Sequence, residues 1–205
     1  MKHMLEMLFS TPLLLVYAAL FGITMKISDL ADEHGLKLFR GGALLFGVLW
    51  GGLGALMMLG NNLLANFFIA LLIHWILRYR IDRLNHGAAA SIMLIAFLYN
   101  LPNFAIDWLL FPAILIVYSV HGLLNDAADR KEIRGILARY VESNSHYLTV
   151  PIILMIINPE YWLVFAASAL HIIFYETTKH AGMKHIKQAG RGQRPRPFGK
   201  PGGGH

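Results

Sequence analysis

Seven apolar stretches recur along the chain, and no other feature constrains its fold as strongly. They cover residues 8–25, 42–60, 63–77, 87–101, 104–124, 147–157 and 161–175. A hydrocarbon core about 30 Å thick needs roughly 20 apolar residues per helix, fewer where the ends snorkel. The sixth stretch is short, so it is expected either to recruit residues 139–146 or to pack inside a bundle. Breaks on one side are turn-like: Gly60-Asn61-Asn62, Leu101-Pro102-Asn103 and Asn158-Pro159-Glu160. Connections on the other side are long and charged. Of 205 residues, 56% are hydrophobic and 15% charged, against about 45–50% and about 25% in soluble chains. With no Cys at all, a disulfide scaffold is excluded. The predicted fold class is an all-α, polytopic membrane helical bundle of about seven transmembrane helices.

The charges set the expected orientation. Seventeen of the 18 Lys and Arg fall on the side of the first loop, and only Lys2 falls opposite. The positive-inside rule makes that side cytoplasmic, with the N-terminus outside and the C-terminus inside. The net charge of +6 is thus read as a topology signal, with no nucleic-acid partner. Lys2 and Ala18-Ala19 superficially fit a cleavable leader, but the repeat described next argues for a retained helix.

A gapless shift of 97 residues aligns Ser28-Asp29-Leu30-Ala31-Asp32 with Asn125-Asp126-Ala127-Ala128-Asp129. It also pairs Lys37 with Arg134, Asn61 with Asn158 and His74 with His171. Upstream, a shift of 100 pairs Pro12 with Pro112 and Gly22 with Gly122. Polar matches carry weight because Asp, Asn and His are costly near a bilayer. The expected plan is a 3+1+3 internal repeat in parallel orientation. Residues 1–80 form the first three-helix unit, 81–103 a linker helix, 104–178 the second unit, and 179–205 a disordered basic cytoplasmic tail.

Aspartates at i and i+3 share a helix face. Asp29, Asp32, Asp126 and Asp129 would bring four carboxylates to the cytoplasmic ends of the first and fifth helices. Such a group demands cations, and hard oxygen ligands with room for water suit Mg²⁺. Lys26, Lys37, Arg78, Arg80, Arg130 and Arg134 surround them and could neutralise a departing diphosphate. His74 and His171 are repeat-related, and His121 lies one turn before Asn125; all three are candidate ligand contacts. Arg80, Asp82, Asn85 and His86 form a polar cluster that a helix cap and ion pair explain equally well. Residues 131–143 carry apolar positions at helical spacing and read as an interfacial helix.

Asn125-Asp126-x-x-Asp129-Arg130 resembles the first Asp-rich motif, NDxxDxxxD, of the UbiA superfamily of intramembrane prenyltransferases, and Ser28-Asp29-x-x-Asp32-Glu33 resembles a degenerate copy. Ile133 stands in place of the motif's third Asp, Ser28 in place of Asn, and seven spans in place of the family's nine. The resemblance implies a Mg²⁺-dependent transfer of a prenyl group from an isoprenyl diphosphate to a lipophilic acceptor. It implies metal-diphosphate binding for Asn125, Asp126, Asp129, Asp29 and Asp32. Two other readings stay open: a small repeat-type transporter or channel for a divalent cation or polar solute, and a non-catalytic lipid-binding membrane subunit. HExxH, Walker A and GxSxG signatures are absent from the sequence.

Overall fold

The computed structural model describes residues 6–79, 81–142 and 146–192. Its principal helices are α1 (Thr11–Glu33), α2 (Gly42–Gly60), α3 (Asn62–Leu77), α4 (Leu84–Asn100), α5 (Leu110–Asp129), α6 (Ile136–Glu142), α7 (His146–Ile157) and α8 (Trp162–Gly192). Single 3-10 turns occupy Leu101–Asn103 and Pro159–Tyr161, and the described residues contain no strand. Among the described residues, four helical segments are long and apolar enough to cross a membrane: α1, α2, α4 with its 3-10 extension, and α5. At 1.5 Å per residue, α3 spans only about 24 Å and α7 about 18 Å.

Local chemistry sets the boundaries. Pro12 opens α1, where its missing N–H costs nothing. Gly35 and Gly41 both take positive φ (+74° and +82°), so the α1–α2 turn needs residues without a Cβ. Asn61 caps α3 by accepting from Leu63 N at 2.9 Å and Leu64 N at 3.1 Å. Its repeat counterpart Asn158 accepts from Glu160 N at 3.1 Å.

α3 is buried without interruption from Leu64 to Leu72, as expected of a helix that is apolar on every side. Around it, α1 packs on α8 and α2, α2 on α4, α3 on α5, and α7 on α8. Small residues permit the closest crossings. Gly22 meets the His171 carbonyl, so any side chain there would collide with the α8 backbone. On α2, a Cβ at Gly47 would lie 2.6 Å from Asn85 O, and one at Gly51 2.5 Å from Ala89 Cα. Leu44, Leu45, Val48 and Leu49 of α2 and Ile95 and Leu98 of α4 remain exposed on the outer surface.

Three helix boundaries differ from those of the apolar stretches. The first apolar stretch ends at Met25, but helix α1 continues to Glu33 and carries the first acidic motif, as its i, i+3 spacing leads one to expect. The fifth helix begins at Leu110, six residues after 104, because polar groups of α3 hold the preceding segment extended. Asn62 bonds both to Ala105 N (3.0 Å) and to Ala105 O (2.8 Å). Asn66 accepts from Asp107 N at 2.9 Å, and Asp107 then caps Leu109 and Leu110 N at 3.0 and 2.8 Å. Third, residues 179–192, expected to be disordered, continue α8. There Lys179 pairs with Glu176 at 3.2 Å, and Leu30 of α1 packs against Gly182. Residues 193–205 and Arg80 lie outside the described residues.

Opposite the α8 extension, the Tyr161 hydroxyl donates to Asp107 Oδ1 at 2.9 Å.

Candidate functional site

A cavity of about 320 Å³ opens among the ends of α1, α3, α4 and α5, with α6, α7 and α8 closing its flanks. Its polar lining comprises Asp29, Glu33, Arg78, Asp82, His86, His121, Asn125 and Tyr175. Met25, Trp50, Trp75, Ile81, Val141 and Tyr147 supply the rest. The two acidic motifs therefore reach one cavity from different helices.

Asp29 is the most elaborately held carboxylate. It is 7% exposed beside Lys26 at 5%. His86 Nε2 lies 3.1 Å from Asp29 Oδ1, and the Tyr175 hydroxyl donates to Oδ2 at 3.1 Å. Lys26 Nζ stands 3.7 Å from that same Oδ2 and donates to the Tyr175 hydroxyl at 3.1 Å. Buried charges persist only with such partners. The neighbouring Ser28 is a strut: it accepts from Asn85 Nδ2 at 2.7 Å and donates to Ala43 O at 2.9 Å, tying α1 to α4 and α2.

In the second motif the partner changes. Arg78 Nη2 donates to Asp126 Oδ1 at 2.6 Å and its Nε approaches Oδ2 at 3.4 Å. Arg78 and Tyr175 are themselves 97 residues apart, so repeat-equivalent positions grip repeat-equivalent aspartates. One grips with a guanidinium, the other with a phenol.

Of the residues expected from sequence, Asp29, Arg78, His121 and Asn125 line the cavity. Asp126 reaches it through Arg78. His171 is buried against Phe21, Tyr147 and Tyr175. His74 lies beneath, with Ser119 Oγ 3.4 Å from its Nδ1 and Tyr118 against its ring. Asp32 is outside the cavity and pairs with Arg83 at 3.6 Å. Asp129, Lys37, Arg130 and Arg134 are exposed and do not line it. Arg130 instead forks onto Glu132 at 2.7 and 3.1 Å, and this bond holds the Glu132 carboxyl below its usual range. Helix α6 does contribute: Val141 lines the cavity and Tyr140 packs on His121.

Sequence reasoning gives no lining role to Glu33, Trp50, Trp75 and Tyr147, and leaves Asp82 and His86 in a polar cluster that a helix cap and ion pair explain equally well. Glu33 follows Asp29 by one helical turn, a signal that was legible. Trp50 had none, since a Trp in an apolar run looks like core. Here it is 1% exposed, and its indole N–H has no acceptor among the described residues.

The four motif aspartates do not assemble into one metal cage. Among the described residues, no three His, Asp or Glu side chains are grouped to hold an ion. What fits is a looser arrangement. Asp29, Glu33 and Asp82 outnumber Arg78 on the cavity wall, and Mg²⁺ commonly binds through one or two carboxylates plus water and phosphate oxygens. Set against family models, curated proteins and solved structures, the chain matches none of them.

Proposed function

We propose that the protein is an integral membrane, UbiA-like prenyltransferase whose cavity binds an isoprenyl diphosphate with Mg²⁺. One observation carries this reading: Asp29 of the first acidic motif and Asn125 of the second line a single cavity together with Arg78. The 3+1+3 plan underlies it and draws support from the matched grips Tyr175–Asp29 and Arg78–Asp126. Crossed packing supports it too, since α1 packs on α8 while its counterpart α5 packs on α3. The charge asymmetry of the sequence favours a cytoplasmic C-terminus and cavity mouth.

In this reading Asp29, Glu33 and Asn125 would hold Mg²⁺, whose charge would supply Lewis-acid stabilisation to the diphosphate. Arg78 binds the diphosphate. The allylic C1–O bond breaks with its electron pair leaving on diphosphate, and a nucleophilic atom of the lipophilic acceptor bonds to C1 and releases a proton. Trp50, Trp75, Met25 and Ile81 shield the developing allylic cation from water.

The test is purified full-length chain with farnesyl or geranylgeranyl diphosphate and Mg²⁺, assayed for diphosphate release. Asp29→Asn is expected to lower turnover by about 10²-fold, the scale of losing one electrostatic contact to a transition state. Absence of Mg²⁺-dependent binding and turnover defeats the reading. Binding without turnover leaves the lipid-binding subunit. The excess of acids over Arg78 on the wall also favours cation passage, so divalent-cation flux in proteoliposomes would promote the transporter.

A further inference from the structure

We propose that Asp126 is a positioning residue: it aims Arg78 to form an anion-receiving subsite of the cavity, specific for the oxygens of a phosphate or diphosphate group. This rests on the reading of the cavity as a diphosphate site. It departs from the metal-ligand role that the NDxxD resemblance implies for Asp126.

The geometry supports a division of labour between the two repeat-related aspartates. Asp126 engages the guanidinium along its Nε–Nη2 edge, at 3.4 and 2.6 Å. A guanidinium has five N–H donors, so this fork leaves the Nη1 group for a ligand. The Arg78 side chain is only 12% exposed and forms part of the cavity wall. Gly122, one turn before Asp126, keeps the path clear: a Cβ there would lie 2.5 Å from Arg78 Cδ and Nε. An arginine already fixed loses little further rotamer freedom when an anion arrives. A carboxylate this closely bound to a guanidinium is a poor ligand for a metal ion.

Asp29 has the opposite surroundings. Tyr175 stands where Arg78 stands in the other copy, and a phenol leaves the carboxylate its charge. Lys26 forms an ion pair with Oδ2 at 3.7 Å without a direct hydrogen bond, and His86 Nε2 lies 3.1 Å from Oδ1, so no guanidinium fork clamps this carboxylate. The first copy therefore offers a carboxylate to a cation, and the second offers a cation to an anion.

The test uses inorganic diphosphate as the probe, titrated calorimetrically into the detergent-purified full chain over a series of Mg²⁺ concentrations. Arg78→Gln and Asp126→Ala should each weaken diphosphate binding about tenfold or more, the size of one charge-assisted contact. The double variant should bind no worse than Arg78→Gln alone, and Asp126→Glu should recover most of the loss. Half-saturation by Mg²⁺ should move in Asp29→Asn and stay put in Asp126→Ala. Gly122→Ala retains Asp126 but displaces Arg78, so it should reproduce the loss even if Asp126→Ala fails to fold. A shifted Mg²⁺ requirement in Asp126→Ala, or losses that multiply in the double variant, overturns the positioning role and leaves the diphosphate site standing. Failure of the unsubstituted chain to bind diphosphate overturns both.

Discussion

Asp107 and Tyr161 lie on the side of the bundle away from the cavity, and their bond is local enough to test alone. The Tyr161 hydroxyl donates to Asp107 Oδ1 at 2.9 Å, so Tyr161→Phe should cost about 1.5–3 kcal/mol, the worth of a hydrogen bond to a charged group. Thermal unfolding of the two chains in detergent measures the loss; an unchanged midpoint would refute it. Residue identity alone already marked Asp29, Arg78, His121 and Asn125, because each is a costly polar group at the end of an apolar stretch. Trp50 and Tyr147 were illegible for the converse reason: their chemistry depends on which neighbours leave a gap beside them.

At the scale of helices, α2 carries its own control. Gly51 faces Ala89 at a distance that excludes a Cβ, whereas a Cβ at Gly52 would meet nothing within 4 Å. Gly51→Ala should destabilise by about 1–3 kcal/mol through overpacking. Gly52→Ala should be neutral or gain up to about 1 kcal/mol from helix propensity. Unfolding midpoints in mixed micelles distinguish them, and equal effects would mean that α2 does not pack on α4 through this face. The glycines are visible in sequence as a small-residue stripe. Which of them touches another backbone is set by the rotation of α2 against α4. The same dependence explains the late start of α5. Its apolar pattern begins near 104, but Asn62 and Asn66 of α3 capture the backbone of residues 105–107 before a helix can form.

For the whole molecule, the charge distribution makes a prediction that needs no ligand. The chain has no Cys, so single cysteines report topology directly. With oriented vesicles and an impermeant maleimide, Lys37→Cys and Arg134→Cys should label from one side, and Asn103→Cys and Glu160→Cys from the other. Labelling of Lys37→Cys and Glu160→Cys from the same side would defeat the alternating helix order. Composition and period alone determined an all-helical chain rich in membrane-length apolar segments, because hydrocarbon burial acts on whole stretches whatever they pack against. Spacing alone revealed the 97-residue correspondence of the acidic motifs. Only tertiary packing decided what each aspartate meets. Tyr175 reaches Asp29 across 146 positions and Arg78 reaches Asp126 across 48. Electrostatics at such contacts depends on separations of a few ångströms, and helix crossings rather than sequence intervals set those separations.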